Sequence, residues 1–169
     1  MKIHQRHLLK GKDIKLLKSK LIEQFGENEV LNHLDPKSKV EWFKLENHEE
    51  LIAIDDILSF WIKEGEYIPL LTLILKHDEK FKLKYIIVDK GAVPYITNGA
   101  DIMRPGIIKI DPSIKKGNIV KIQEETYNKT IAIGKALFDA TEIQSIEKGK
   151  VINNLHTIND EIWKFSKSF

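Results

Sequence analysis

Residues 88–107 read VDKGAVPYITNGADIMRPGI, and this stretch decides the fold. It contains two Gly-Ala pairs, Gly91-Ala92 and Gly99-Ala100, and closes with Pro105-Gly106 before an apolar residue. Residues 91–98 predict a short helix, and the Pro-Gly pair predicts a type II turn that leads back into a strand. Glycine at each end of the helix permits positive φ or a close backbone approach. The stretch therefore predicts a strand, a short helix and a glycine-rich loop.

A glycine-rich loop of this kind has two interpretations. Because it carries few side chains, it can bring backbone N–H groups against a phosphate or the edge of a sugar. The same glycines also serve simply to make tight corners in a small barrel. Asp101 places a negative charge in the loop, which weakens a phosphate-only interpretation. The residues alone leave both interpretations open.

The sequence downstream of this loop is rich in short strands. Residues 84–88 form a short run typical of a buried strand, and further strands are predicted over residues 118–124, 130–137 and 151–155. A helix is predicted over residues 141–148, with Thr141 as its cap and Gly149 at its end. Many short strands with small helices at the crossings indicate a compact β-barrel.

The sequence upstream mixes helices and strands. Asp13 is the predicted cap of a helix whose apolar positions have helical spacing and which ends at Gly26. A second short helix is expected over residues 27–34. Strands are predicted over residues 39–45, 51–54 and 57–63, and Pro69 is expected to open a helix that reaches Lys76.

Composition is ordinary for a globular protein: 169 residues, 42% hydrophobic, 31% charged, net charge +2. The absence of Cys excludes disulfides, thiol catalysis and zinc sites built on Cys. Neither a signal peptide nor a membrane-spanning run is recognisable, so a cytoplasmic location is expected. Glycine is concentrated after residue 84, and we predict two domains, residues 1–84 and 85–169.

Several motifs after residue 84 resemble the PUA domain, an RNA-binding module. The likeness begins with residues 88–107 and continues through Lys115-Lys116-Gly117-Asn118, the Ala132-Ile133-Gly134 strand and Lys148-Gly149-Lys150-Val151. Residues 66–76 and the ending His156-Thr157-Ile158-Asn159-Asp160 are similar to the malignant T-cell-amplified protein family, which includes ligatin. The chain resembles a short, stand-alone archaeal member of that family.

The resemblance implies an α+β fold, with a small N-terminal α/β domain followed by a PUA-type pseudo-barrel. It also implies a non-catalytic RNA-binding function in translation, at the tRNA acceptor end or the small-subunit rRNA. The implied partners are structured RNA, the small ribosomal subunit and a translation factor. Neither DNA nor a membrane is an expected partner, and no cofactor is expected.

The family's RNA surface is formed by the short helix, the loop after it and the adjoining strands. The matching positions here are Lys90, Gly91, Ala92, Tyr95, Gly99, Ala100, Met103, Arg104, Pro105 and Gly106. Arg104 is expected to contribute most, because only two of the 27 basic residues are arginines and a guanidinium binds bidentately. Its alanine variant is expected to bind RNA about 1–3 kcal/mol more weakly with the fold intact.

For several of these side chains a structural role competes with RNA binding. Arg104 and Lys90 also fit ordinary surface charges. Tyr95 fits either base stacking or the core, and Met103 fits a core position better. A second basic surface is predicted from a cluster of N-terminal lysines, for which the solvated face of an amphipathic helix is the alternative. These lysines are Lys10, Lys12, Lys15, Lys18 and Lys20.

Enzyme and metal functions find little support. The sequence lacks a dinucleotide-binding glycine motif, a P-loop and a nucleophile elbow. His4 and His7 lie in a terminus expected to be mobile, and His156 is expected to be a structural hydrogen-bonding residue. The alternative to a translation protein is an accessory for RNA modification or ribosome biogenesis, which delivers RNA to a separate transglycosylase or pseudouridine synthase. A third hypothesis is a scaffold that binds protein only.

Overall fold

The computed structural model describes all 169 residues, Met1 to Phe169, and the chain divides into two compact units. The first unit comprises Met1–Lys82 together with Phe165–Phe169, and the second comprises Leu83–Lys164. Helices and strands alternate irregularly in both, which confirms the predicted α+β class. None of the helices combines the length and the apolar character required to cross a membrane.

The first unit is built on an antiparallel sheet of five strands in sequential order. Its elements are β1 (Ile3–Leu8), α1 (Gly11–Phe25), α2 (Glu29–His33), β2 (Val40–Leu45), β3 (Glu50–Ile54), β4 (Ile57–Lys63), β5 (Glu66–Pro69) and α3 (Leu71–His77). Strands β2, β3 and β4 confirm the three predicted strands to within one residue at each end. Aromatic rings join helix to sheet, since Phe25 of α1 lies 6.1 Å from Phe60 of β4.

Helix α1 forms because Ile14, Leu17 and Leu21 share one face, where all are buried. Gly26 ends it with φ of 77°, as predicted. The predicted cap, Asp13, is wrong: Lys10 occupies the cap position, and its carbonyl accepts the first helical bond from Ile14 N at 3.0 Å. Asp13 instead lies in the first turn, where its negative charge stabilises the helix through the positive end of the helix dipole.

Two further predictions for the first unit are wrong. The terminus expected to be mobile is strand β1, which pairs with β2 although all six of its residues are exposed. Pro69 ends β5 and does not open α3, which begins at Leu71. Because β5 is an edge strand, the missing N–H of Pro69 costs it no ladder bond.

The second unit is built on a six-stranded sheet in the order β7-β11-β10-β9-β6-β8. Only β6 and β9 run parallel. Its elements are β6 (Lys84–Val88), α4 (Val93–Thr97), β7 (Ile102–Met103), β8 (Ile107–Ile110), β9 (Ile119–Glu124), β10 (Thr130–Ala136), α5 (Ala140–Ser145) and β11 (Lys150–Thr157). Helix α6 (Glu161–Ser168) begins in this unit, and its residues from Phe165 onward are counted with the first. An apolar cluster that includes Val88, Ile122 and Ile152 fills the unit.

Gly134 marks the tightest strand contact of this core. A Cβ atom at this position would lie 2.5 Å from Ile152 Cγ2 and 2.7 Å from the Asn153 carbonyl oxygen. The register of β10 against β11 also shifts between Ile133 and Gly134. Only glycine therefore allows β10 and β11 to approach this closely.

Helix α5 differs from its prediction, and a further helix follows β11. Helix α5 is capped at Asp139, not Thr141, and stops at Ser145 because the backbone of Ile146 is extended. Helix α6 was not predicted. It begins where the Asp160 carboxylate accepts the Trp163 N–H at 2.6 Å, a capping bond that satisfies one of its free donors.

Candidate nucleic-acid interface

A groove with a volume of about 450 Å³ lies where β6, α4, β7 and the turn before β8 meet. It is lined by Asp89, Gly91, Ala92, Tyr95, Ile96, Ala100, Asp101, Met103, Pro105 and Gly106. Seven of the ten predicted RNA-binding residues are among them: Gly91, Ala92, Tyr95, Ala100, Met103, Pro105 and Gly106. The other three, Lys90, Gly99 and Arg104, lie outside the lining. The lining is mostly apolar, so the groove suits a flat, uncharged group such as a base better than a phosphate.

Asp89 joins the two ends of the glycine-rich stretch. Its backbone N–H donates to the Gly106 carbonyl at 2.9 Å, and its Oδ1 accepts the Ala92 N–H at 2.8 Å. A Cβ atom at Gly106 would lie 3.0 Å from the Ala92 Cβ. The backbone of Gly106 therefore lies against the Ala92 side chain, and a side chain at position 106 would require one of them to shift.

The turn before β8 differs from the type II turn predicted from Pro105-Gly106. Residues Arg104–Gly106 form a short 3-10 turn in which Ile107 N–H donates to the Arg104 carbonyl. Gly106 does not have a positive φ, whereas Gly99 does, at 94°. The prediction is wrong because Gly106 is needed for its closeness to Ala92, not for a left-handed conformation.

Asn154 of β11 holds the loop between α4 and β7 in place. Its side-chain amide donates to the carbonyls of Ile96 and Ala100, both at 2.9 Å, and its backbone N–H donates to Asp101 Oδ1 at 2.8 Å. Asn154 was not among the residues predicted from the sequence. The only signal was a polar pair, Asn153-Asn154, inside an otherwise apolar strand.

The charge of Asp101 is engaged within the protein. One carboxylate oxygen accepts the Asn154 N–H, and the other lies 3.3 Å from Lys150 Nζ. The negative charge that the sequence placed beside a phosphate site is thus partly offset by a lysine.

Two apolar side chains stand at the groove with much of their surface in solvent. Tyr95 is 71% exposed and Met103 is 49% exposed. The exposure of Tyr95 removes the core alternative and leaves its ring face available for stacking. The core interpretation of Met103 is wrong, since β7 is a two-residue edge strand that turns this side chain outward.

Arg104 has a structural role that the sequence did not reveal. Its Nε donates to the Ile143 carbonyl of α5 at 2.7 Å, and Nη1 donates to the Ile107 carbonyl at 3.2 Å. Its backbone N–H also donates to the Gly149 carbonyl at 2.8 Å. The guanidinium thus ties α5 to the turn that forms the groove wall, and its contact with RNA stays a prediction.

Among the predicted lysines, Lys18 has a structural contact through its side chain, and the others are exposed. Lys90 is exposed, and its backbone N–H donates to Glu125 Oε1 at 3.0 Å. In the first unit, Lys18 donates to the carbonyls of Asn32 and Leu34 at 3.1 and 2.9 Å, so it caps the end of α2. The other four members of the second basic surface, Lys10, Lys12, Lys15 and Lys20, are exposed.

The histidines have structural contacts. His7 lies on β1 with its ring 4.8 Å from that of Trp42, and no group of three or more His, Cys, Asp or Glu side chains is arranged to hold a metal ion. His156 is buried, and its Nδ1 lies 2.7 Å from Asp160 Oδ2. The expected structural hydrogen bond of His156 is confirmed.

Comparisons with known proteins match both units. A Pre-PUA-like domain matches residues 1–77, and a PUA domain matches residues 84–158. An uncharacterized protein of Methanocaldococcus jannaschii is 36% identical, over 98% of this chain and 99% of that protein. Translation machinery-associated protein 20 of Saccharomyces cerevisiae is 34% identical, over 97% and 94%. Malignant T-cell-amplified sequence 1-A of Xenopus laevis is 35% identical, over 92% and 88%.

Solved structures share the fold over nearly the whole chain. A crystal structure of a hypothetical protein from Pyrococcus horikoshii has a TM-score of 0.82 at 34% identity, covering 96% of this chain and 99% of that one. A PUA-domain structure from Aeropyrum pernix has the same TM-score at 18% identity, covering 96% and 91%, which shows the fold alone.

Proposed function

The chain belongs to the family of translation machinery-associated protein 20 and the malignant T-cell-amplified sequence proteins, and on this premise we propose that it is a non-catalytic RNA-binding protein of translation. The proposed ligand is structured RNA, at the tRNA acceptor end or in small-subunit rRNA. The name of the yeast relative, translation machinery-associated protein 20, supports a place in the translation machinery rather than in RNA modification.

One observation carries the proposal: seven residues expected on the RNA surface line a single groove of the PUA domain. An apolar floor with an exposed tyrosine suits the face of an unstacked base. Both carboxylates of the lining, Asp89 and Asp101, accept backbone N–H groups, so they are occupied in holding the loop. This supports binding over catalysis.

Fluorescence anisotropy with labelled tRNA at increasing salt tests the proposal. With about four phosphate contacts, we expect log Kd to change with log salt by a slope of magnitude about 3–4. A flat salt response, or no binding at tens of micromolar, would contradict RNA binding.

The variant Gly106→Ala tests whether the groove itself binds. Its new Cβ would meet that of Ala92, so the groove wall must shift, and we expect affinity for tRNA to fall by about tenfold. The double variant Gly106→Ala with Ala92→Gly removes the opposing atom and is the matched control. Recovery of affinity in the double variant locates binding at the groove, whereas unchanged affinity in the single variant places it elsewhere.

Capture of partners from cell extract separates the functional alternatives. Recovery of small-subunit or initiation components supports a translation role. Recovery of a transglycosylase or a pseudouridine synthase would favour the accessory role instead. A protein partner that is retained after RNase treatment, without any RNA affinity, would indicate a scaffold.

A further inference from the structure

The turn between β9 and β10 carries an aromatic side chain that does not belong to the groove. Tyr127 is 77% exposed, slightly more than Tyr95. Packing in the core does not explain a ring that is mostly in solvent. A large aromatic side chain exposed at a hairpin tip is a frequent feature of binding surfaces.

The hairpin that presents Tyr127 is held in one conformation. The Glu124 carboxylate accepts the backbone N–H groups of Thr126 and Tyr127, each at 2.7 Å, and of Lys129 at 3.1 Å. Desolvation raises the pKa of Glu124, but these hydrogen bonds outweigh it and keep the pKa below its usual value. The carboxylate is therefore charged at neutral pH, and ordering the loop adds little cost when a ligand binds.

A cation accompanies the exposed ring. Lys129 Nζ lies 5.9 Å from the centre of the Tyr127 ring, within the range of a cation–π contact. A base stacked on this ring would bring its own phosphate near an ammonium group. Tyr127 and Lys129 together thus offer the two contacts that a nucleotide of a single strand uses.

The hairpin adjoins the segment that forms the groove. Strands β6 and β9 run parallel with Val88 opposite Glu124, so the chain leaves both strands at the same end of the sheet. At that end, Glu125 Oε1 accepts the Lys90 N–H at 3.0 Å, and the neighbouring residues Asp89 and Gly91 line the groove. An RNA strand that leaves the groove past Lys90 therefore meets the hairpin.

We propose that Tyr127 stacks on an unpaired base of the RNA whose other bases occupy the groove, with Lys129 near the adjoining phosphate. This inference rests on the proposed function and extends it from one groove to a two-point contact. The local charges favour a base over a phosphate-only contact, because Glu124 and Glu125 outnumber Lys129 at the tip. The base must be unpaired, since the faces of paired bases are covered by their neighbours in a helix.

Titrations with two RNA probes test the inference. The probes are a labelled single-stranded oligoadenylate of about 12 nucleotides and a blunt RNA duplex of about the same length. For Tyr127→Ala and Tyr127→Leu we expect affinity for the single strand to fall by about 5- to 100-fold, with little change for the duplex. Tyr127→Phe keeps the ring and is expected to bind within about twofold of the unaltered protein.

The leucine variant is the sharper control, because it keeps an apolar side chain but removes the aromatic face. Normal single-strand affinity in both Tyr127→Leu and Tyr127→Ala would overturn the inference while tRNA binding at the groove stands. An equal loss for single strand and duplex would overturn it too, since stacking on an unpaired base predicts a difference. If the unaltered protein binds neither these probes nor tRNA, the proposed function itself fails.

Discussion

At the residue scale, Arg104 joins three backbone segments around the groove wall. Its side chain donates to carbonyls of α5 and β8, and its backbone N–H donates to the residue before β11. Hydrogen bonds from a charged donor are stronger than neutral ones, and their loss leaves partly buried carbonyls without a partner. The groove thus depends on an arginine whose main contacts are internal.

We expect Arg104→Ala to destabilise the second unit by about 2–4 kcal/mol, because both side-chain hydrogen bonds are lost. Arg104→Lys is the matched control and should recover only part of this, since an ammonium cannot reproduce the fork of a guanidinium. Thermal unfolding and tRNA affinity should be measured on the same samples. If Arg104→Ala keeps its stability but binds tRNA more weakly, the result would instead support the direct RNA contact predicted from the sequence.

The contacts of Arg104 explain why its role could not be predicted. Its rarity among lysines indicated a guanidinium that contacts RNA, whereas in the structure the guanidinium donates to the backbone carbonyls of Ile143 and Ile107. Its hydrogen-bond partner Ile143 lies 39 positions further along the chain, however, and no local pattern shows such a contact. The same holds for Asn154, whose amide bonds to a loop more than 50 positions earlier.

At the scale of elements, the connection from β11 to α6 is organised by one carboxylate. Asp160 accepts N–H groups from Thr157 at 2.9 Å and Trp163 at 2.6 Å, and it lies 2.7 Å from the buried His156 ring. Burial raises the pKa of Asp160, but the hydrogen bonds with His156 and the two backbone groups lower it further, so the net shift is downward.

A lowered pKa in the folded state makes this connection sensitive to acid. The contribution of Asp160 is present above its unfolded value of about 3.8 and is lost as pH falls through the lower folded value. We expect Asp160→Asn, which keeps a capping side chain, to be less stable by about 1–3 kcal/mol at pH 7. Unfolding curves of both proteins from neutral pH to below pH 3.8 should converge; a difference that persists in acid would mean that shape, not charge, is responsible.

Elements with a clear pattern were predictable and those without one were not. Strand β6 was predicted at its observed limits, because a short apolar run between charged residues has few other interpretations. Strand β1 was missed because every side chain in it is exposed, so it shows no alternation of buried and exposed residues. Helix α6 was missed although Asp160 is a typical cap residue, because the helix is only eight residues long and few turns display its hydrophobic spacing.

At the scale of the whole molecule, low net charge limits how RNA is bound. The chain carries +2, and the second unit has 12 Lys and Arg against 10 Asp and Glu. Such a unit attracts phosphate only weakly over distance, so the few phosphate contacts must be supplemented with affinity from the groove and its stacking contacts. Those contacts need unstacked bases, which a DNA duplex does not offer.

We therefore expect duplex DNA to be a poor competitor. Displacement of labelled tRNA should need at least about tenfold more duplex DNA, by nucleotide concentration, than unlabelled tRNA at moderate salt. The competition is read by anisotropy, with an RNA duplex of matched sequence as the control. Equal displacement by DNA and tRNA would show that phosphate attraction alone accounts for binding.

The exposed strand β1 has a consequence for how copies of the protein behave in solution. As the edge of its sheet, it presents backbone groups that a second copy could pair with. Its sequence, IHQRHL, places Arg6 and other polar side chains along that edge, and such side chains disfavour pairing between two edge strands. The strand that shows the weakest sequence pattern is thus also the one whose polar side chains oppose edge-to-edge pairing.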